Sequence, residues 1–370
     1  MKLTIGKAEL QRGLNRIQAI VEKRNSMPIL ANVLIEAGDG QLRLAATDLE
    51  VGIRSAHEAE IAADGGLTVS AKKLYELVRE LPDEPVELEA SDNSYLSIRC
   101  SRTHVNLAGT ASEEYPTLPE FSPEKTVPVA AATLSSMIER TMYAASVDET
   151  RYNLNGVYLE VLDEGGMIRM VATDGHRLAS VDRNLGVDTG GLASGVIIPR
   201  KGLAELKRLV DEDDSDEVEL AFEGNSGLAR KGGVTLVMRL IEGEFPNYSQ
   251  VVPKEITRRV TMACEPLIQA LRRVALLSSE RSRAVKLELG NHRLAVSSNN
   301  PDLGEANEEI DVDYDGEELA VGFNARYLQD ALGAIGAKEA TFSFQSDLSP
   351  AQLVPTDDED TLAVVMPMRI

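Results

Sequence analysis

Apolar positions along the chain change period in a fixed order, and the order occurs three times. Each round opens on a helical face with three- and four-residue spacing: Leu10, Leu14, Ile17, Ile20 and Val21; then Leu134, Ile138 and Met142; then Leu267, Leu271 and Val274. Two strand-like runs follow, joined by a glycine turn that supplies the positive φ of a tight hairpin. Val33–Ile35 and Leu42–Leu44 flank Asp39-Gly40, Val157–Leu159 and Ile168–Met170 flank Gly165-Gly166, and Val285–Leu287 and Arg293–Ala295 flank Gly290-Asn291. The second run of each pair ends in a polar signature: Ala46-Thr47-Asp48-Leu49, Ala172-Thr173-Asp174-Gly175 and Ser298-Asn299-Asn300-Pro301. Thr47, Thr173 and Asn299 stand 126 residues apart each time.

A second helix is predicted in each round over 70–81, 199–210 and 324–335, and further alternating strands close it. Glu114-Tyr115-Pro116 and Glu244-Phe245-Pro246 end the first two rounds, 130 residues apart, each followed by proline-rich sequence of linker type. The period is too long for a solenoid and reads as tandem domain duplication. The expectation is an α+β chain of three domains, at 1–126, 127–254 and 255–370. Each would pack two helices on hairpin-built antiparallel sheet.

Length and composition agree: 370 residues exceed a single core, and 43% apolar with 26% charged residues is a folded composition. The charge points elsewhere. A net of −22 taken whole argues against nucleic acid, which calls for clustered Lys and Arg. Yet the helix-like stretches 6–24, 70–81, 130–151, 199–208, 263–283 and 324–335 hold 19 of the 38 basic residues and 11 of the 60 acidic ones. Those stretches carry +8 and the rest −30. Two readings stay open here: solvated helix faces, or one electropositive surface shared by the helices.

Candidate chemistry is sparse. Cys100 and Cys264 form no CxxC pair, which excludes a zinc ribbon or redox site, and free thiols suit a cytoplasmic protein. No secretory leader, membrane-length apolar run, phosphate loop, dinucleotide fingerprint, nucleophile elbow or HExxH motif is present, and there are four histidines. The expectation is no enzyme, no metal and no cofactor. In Val171-Ala172-Thr173-Asp174-Gly175-His176-Arg177-Leu178, Asp174 and His176 could make a metal or acid–base pair. With no nucleophile or third ligand nearby, an Asx turn closed by Asp174 is the better reading. A metal-dependent hydrolase and an acidic binding scaffold are the rival classes.

That octapeptide, with Pro199-Arg200-Lys201-Gly202, Gly243-Glu244-Phe245-Pro246-Asn247-Tyr248, Gly322-Phe323-Asn324 and Val364-Val365-Met366-Pro367-Met368-Arg369-Ile370, resembles the bacterial DNA polymerase III beta subunits, the sliding-clamp family. The resemblance runs the length of the chain. It implies a head-to-tail homodimer forming a closed ring of six domains, with helices lining the hole around duplex DNA. Val105 and Leu107 of one subunit would meet Leu276 and Leu277 of the other. A partner-peptide pocket would draw on Leu154, Thr173, Gly175, His176, Arg177, Leu178, Pro246, Val251, Val364, Val365, Met366, Pro367, Met368 and Arg369. DNA-facing candidates are Arg24, Lys72, Lys73, Arg79, Arg140, Tyr152, Arg200 and Lys201. Implied partners are the polymerase III catalytic subunit, an ATP-dependent clamp loader, and other polymerases and repair proteins carrying clamp-binding peptides. Some members have Arg where Gln250 stands and an aromatic where Asn153 stands, so polar rim contacts there are not carried over.

Overall fold

The computed structural model describes every residue except 22–26, 92, 120–125, 163–164, 190–191, 193–194, 213–214, 254 and 370. Its first third runs β1 (Lys2–Gly6), α1 (Lys7–Gln18), β2 (Asn32–Gly38), β3 (Gln41–Thr47), β4 (Val51–Glu58), β5 (Glu60–Ala63), β6 (Gly65–Ser70), α2 (Ala71–Glu80), β7 (Pro85–Ala90), β8 (Tyr95–Cys100) and β9 (Thr103–Ala111). The second runs β10 (Val127–Ala130), α3 (Ala131–Met142), β11 (Gly156–Val161), β12 (Met167–Thr173), β13 (Arg177–Asn184), β14 (Val196–Pro199), α4 (Arg200–Val210), β15 (Glu217–Glu223), β16 (Ser226–Lys231) and β17 (Val234–Arg239). The third runs β18 (Arg258–Ala263), α5 (Cys264–Ala275), β19 (Ala284–Gly290), β20 (Arg293–Asn300), β21 (Gly304–Asp311), β22 (Leu319–Asn324), α6 (Ala325–Ile335), β23 (Glu339–Phe344), β24 (Ala351–Pro355) and β25 (Thr361–Val365). Apart from the extra β5, the three orders are the same.

Every third carries two antiparallel four-stranded runs in matching order. They are β4-β3-β2-β6 with β9-β8-β7-β1, β13-β12-β11-β14 with β17-β16-β15-β10, and β21-β20-β19-β22 with β25-β24-β23-β18. In the first third β9 also bends onto β6, pairing Val69 with Gly109 and Leu67 with Ala111. The thirds are joined by strand pairing. The last strand of the second third, β17, pairs with β4 from Val234 opposite Ser55 to Met238 opposite Val51. The last strand of the third, β25, pairs with β13 from Arg177 opposite Val365 to Val181 opposite Thr361. Contacts therefore gather into two compact units that cut through the middle third. One is Met1–Ala132, Gly191–Ala193 and Ala204–Leu240; the other is Thr133–Gly190, Ser194–Leu203 and Ile241–Ile370.

The periodic residues fill the cores. In the first unit Leu10, Leu14 and Ile17 of α1 and Leu74 and Val78 of α2 are fully buried. In the second, Leu267, Leu271 and Val274 of α5 and Leu328 and Leu332 of α6 pack with Val285, Val296, Phe323 and Phe342 of the sheets. Burying each such side chain contributes about 1.5–3 kcal/mol. Helix starts follow cap chemistry: Ser70 Oγ accepts from Lys73 N–H, and Asn324 Oδ1 accepts from Arg326 and Tyr327 N–H. The first helices of each third end at Gln18, Met142 and Ala275, close to the last apolar positions of the second and third faces and short of the helix-like stretches 6–24, 130–151 and 263–283. Local side chains take over there: Ser278 Oγ donates to Ala275 O, and Asp148 Oδ1 accepts from Thr150 N–H to start a 3₁₀ turn over Glu149–Leu154.

One polar group is built into the first unit. His57 of β4, 2% exposed, lies under α1, where a Cβ on Gly13 would stand 2.4 Å from its Nε2. A neutral ring satisfies both neighbours, donating from Nδ1 to Glu9 Oε1 at 2.6 Å and accepting at Nε2 from Ser55 Oγ at 2.8 Å. The line looks like a nucleophile relay, but Ser55 is itself buried at 3% exposure. Burial, the largest influence, holds His57 below its usual 6.5 against the pull of Glu9. Burial pushes Glu9 up, but hydrogen bonds from Arg12 and His57 outweigh it and leave the carboxyl below its usual 4.5.

Both groups bind protons more weakly folded than unfolded. Their stabilisation is therefore present at neutral pH and lost on acidification, for His57 as pH falls below 6.5 and for Glu9 below 4.5. Urea unfolding followed from about pH 7 to about pH 5 should show stability falling by up to ~1.4 kcal/mol per pH unit for this single histidine. His57→Gln should flatten that part of the profile; an unchanged slope would show that other groups set it.

Candidate functional site

The polar signature that ends β3 folds the same way where it ends β12. Thr47 Oγ1 donates to Val51 O, and Asp48 Oδ1 accepts from Glu50 and Val51 N–H. At the second copy Thr173 Oγ1 donates to Arg177 O, and Asp174 Oδ1 accepts from His176 and Arg177 N–H at 2.9 and 3.0 Å. The third copy keeps one such bond, Asp302 N–H to Asn300 Oδ1. The turn places a residue at positive φ, Leu49 in the first copy and the freer Gly175 (φ 86°) in the second.

 Leu49 itself has φ 78° and is 52% exposed.

Arg177, which leaves this turn, is held from four sides. Its Nε donates to Asp174 Oδ2 at 3.1 Å and its Nη1 to Asp330 Oδ2 at 2.6 Å. Its guanidinium lies 5.4 Å from the ring centre of Tyr143 and 4.6 Å from that of Tyr327, a cation–π arrangement. His176 stacks on Tyr327 with centroids 6.2 Å apart. Asp174 therefore closes the turn and pairs with arginine, and among the described residues no three His, Cys, Asp or Glu side chains gather as a metal site.

Beside the turn, the C-terminal strand supplies an apolar floor. Leu178 pairs with Val364 and Arg177 with Val365. Val171, Leu178 and Val364 form one buried cluster, with Phe245, Tyr248, Val252 and Leu362 packed against it. Tyr158 stacks on Phe245 at 5.0 Å. The tail then crosses to another sheet: Met366 N–H donates to His176 O and Met368 N–H to Gly322 O. Leu154 and Thr173 are nearly buried, Val251 is 38% exposed, Met366, Pro367 and Met368 are half-buried, and Pro246, Gly175 and Arg369 are exposed. The turn, β13 and the C-terminal strand are thus in contact, as the motif grouping expects. The aromatic wall of Tyr158, Phe245 and Tyr248 and the Tyr143–Tyr327 pair were not singled out. Phe245 and Tyr248 sit inside the Gly243–Tyr248 motif, a signal that could have found them.

The basic candidates divide by partner. Lys72 and Lys73 are exposed on α2 and share Glu76, and exposed Arg79 pairs with Glu80. Tyr152 is 61% exposed. Arg200 donates to Ala145 O at 3.0 Å, and Lys201 is half-buried with partners of its own. Arg140 is committed to Asp358 and Thr361, which also hold Arg183, so it is a tie within the second unit. Arg24 lies outside the described residues. At the other expected surface, Val105 and Leu107 are half-buried on β9, Leu276 is 77% exposed just past α5, and Leu277 is half-buried. Asn153 donates to Glu244 O at 3.0 Å.

Three family models match the chain in tandem: the N-terminal domain of the DNA polymerase III beta subunit over 1–119, its central domain over 128–247 and its C-terminal domain over 249–369. The chain belongs to the DNA polymerase III beta subunit family. The beta sliding clamp of Caulobacter vibrioides (strain NA1000 / CB15N) is 38% identical over 374 residues, and that of Escherichia coli (strain K12) 32% over 376, each match covering 100% of both chains. Among solved structures, the Caulobacter crescentus beta sliding clamp with bound PEG aligns with a TM-score of 0.95 at 38% identity. The Pseudomonas aeruginosa sliding clamp bound to griselimycin aligns at 0.94 and 36%, both over 100% of each chain. This is a family of sliding clamps, and the chain works as one.

The turn is testable on its own. Asp174→Ala removes the acceptor of two backbone N–H groups and the partner of Arg177, and should cost about 1–3 kcal/mol in chemical denaturation. Asp174→Asn keeps the Oδ1 acceptor and should cost less; equal losses would mean that pairing with Arg177 outweighs the turn.

Proposed function

We propose that two copies of this chain close head to tail into a ring around duplex DNA and tether the replicative polymerase to it. The observation that carries this is the strand ladder. β17 and β25 end their thirds, and each completes the edge of β4 or β13 in the third before it. The corresponding edges left over are β21 and the first part of β9, Thr103–Ala108, which is paired on one side with β8 while Gly109–Ala111 meet β6. Open antiparallel edges are templates for pairing. A β21 edge meeting β9 of a second copy is a heterologous contact, and a two-fold rotation closes it. Carrying the register of the internal junctions over by the repeat spacing sets His104 opposite Asn307. Val105 and Leu107 would then lie near Leu276 and Leu277 of the partner, burying apolar surface at the seam. The domains of this ring are 1–126, 127–254 and 255–370, in keeping with the spans of the three family models.

Retention in a closed ring is topological, so DNA contacts need only be weak and sequence-blind. Lys72, Lys73, Arg79 and Tyr152 suit that role as exposed groups that meet a phosphate and let it go, with half-buried Arg200 and Lys201 also proposed for it; Arg24 is included on the family resemblance alone. Arg140 could join only by leaving Asp358. The chain itself carries out no reaction: polymerisation belongs to the polymerase III catalytic subunit, and ring opening to an ATP-dependent loader, in the cytoplasm. These and other polymerases and repair proteins would dock by short peptides with apolar anchors on the floor formed by Leu178, Val364 and Phe245. Leu154, Thr173, Gly175, His176, Arg177, Pro246, Val251 and Val365 to Arg369 complete the groove. Its methionines adapt to several partners, and tethering raises the polymerase's effective concentration at the primer end.

On nicked circular DNA the protein should remain bound through gel filtration and be lost once the circle is linearised. Val105→Arg with Leu107→Arg should be lost from both forms and run as a monomer in light scattering. Equal retention of wild type on circular and linear DNA would refute topological binding. For the groove, deleting Met366 to Ile370 should weaken binding of a polymerase-derived peptide at least about tenfold, the loss of roughly 1.4 kcal/mol or more; unchanged affinity would place the peptide elsewhere.

A further inference from the structure

We propose that the second unit holds a binding site for a free oligophosphate, in a cleft beside the apolar floor that shares His176 and Arg177 with the proposed groove and Arg200 with the proposed DNA-facing residues. The cleft has a volume of about 640 Å³ and is lined by six arginines, Arg151, Arg177, Arg200, Arg281, Arg283 and Arg326, against three aspartates, Asp148, Asp174 and Asp330. In a chain with net charge −22 this is a concentrated reversal of sign. Its size suits a small ligand.

How the arginines are held decides what the cleft can bind. Arg177 is the one fully met by carboxylates, at Asp174 and Asp330, and Arg326 reaches Asp330 only at 3.8 Å. Asp148 spends its Oδ1 on Thr150 N–H and Oγ1. Arg151 and Arg200 are fixed instead by backbone carbonyls, donating to Asp174 O at 3.2 Å and Ala145 O at 3.0 Å. A carbonyl orients a guanidinium without cancelling its charge. Arg281 and Arg283 have no acidic partner among the described residues. Their loop is nonetheless pinned: Arg283 N–H donates to Ser279 O, Arg283 O accepts from Ala325 N–H at the start of α6, and Asn324 Nδ2 donates to Ser282 O.

Guanidinium groups held by carbonyls at Arg151 and Arg200, together with Arg281 and Arg283, which have no acidic partner among the described residues, line one cleft and match adjacent phosphates rather than a single carboxylate. A guanidinium takes phosphate oxygens in pairs, and charge-assisted bonds of this kind are the strong ones. The positive end of α6 adds to the same field. The His176–Tyr327 stack at the rim gives an aromatic face on which the base of a nucleoside triphosphate could lie. The ligand class is therefore a chain of two or more phosphates, free or on a nucleotide.

Calorimetric titration of the full chain with inorganic tripolyphosphate and separately with dATP, at matched ionic strength, tests this. Tripolyphosphate should bind at least tenfold more tightly than sulfate. Similar affinity for dATP would assign recognition to the phosphates alone, and tighter dATP binding would add the aromatic rim; both support the site. The double variant Arg281→Gln/Arg283→Asn should lose at least tenfold in affinity, and Arg326→Gln less, while Arg43→Gln on the first unit should bind as wild type does. Tripolyphosphate no tighter than sulfate, or full affinity in the double variant, would overturn the proposal. So would binding by duplex DNA alone, which would assign these arginines to the DNA path.

Discussion

An antiparallel sheet edge is a row of backbone donors and acceptors that water, or another strand, must satisfy, and the organisation of this chain follows from where those edges go. Each third closes two four-stranded runs and leaves edges over. Two of the resulting edges are consumed inside the chain, where β17 meets β4 and β25 meets β13. This is why compactness and repetition do not coincide: the middle third gives one run to each unit. Side chains reinforce both joins. Arg16 reaches Glu212 and buried Lys231 donates to Val210 O and Glu212 O in the first unit, while Arg140 and Arg183 share Asp358 in the second. The arginine pairs join residues of different thirds and act as stitches, while Lys231 holds the Val210–Glu212 segment within the middle third.

The charge distribution also depends on partners more than on totals. The surplus of basic residues on the helices does not stand bare: Lys72 and Lys73 share Glu76, Arg208 pairs with Glu205 and Arg273 with Glu308. Exposed pairs of this kind contribute only about 0–1 kcal/mol. A phosphate can displace such a carboxylate and be displaced in turn at little cost. A surface built this way attracts a polyanion without gripping it, which is what passage of DNA through a closed ring requires.

The repeat, its helices and its hairpins were legible in the sequence because local rules write them. Periods of 3.6 and 2 mark the faces, Asn324 and Ser70 cap helices, and Asp39-Gly40 and Gly290-Asn291 turn hairpins. The signature at 126-residue spacing proved to be a hydrogen-bonded turn, conserved in form from Thr47-Asp48 to Thr173-Asp174. Helix ends were less legible, because Ile20 and Val21 prolong the apolar spacing after α1 has ended at Gln18. Ile20 is fully buried there without being helical, so burial rather than helical periodicity explains it. The partner of Arg140 was not legible at all. Nothing near it in sequence points to Asp358, and only the closure of β25 on β13 brings that loop within reach.

The same limit applies to arginine as a residue type. Arg140, Arg169 and Arg177 meet carboxylates and serve as ties; Arg169 holds Asp182 through two bonds of 2.6 Å. Arg151 and Arg200 meet carbonyls and keep their charge for something else. Counting arginines cannot separate these classes, since the acceptor decides. Replacing a carboxylate-bound arginine strands a buried negative group, whereas replacing a carbonyl-bound one leaves a neutral acceptor that water can satisfy. The first kind should therefore register in stability and the second in binding, a division that follows from the acceptor alone.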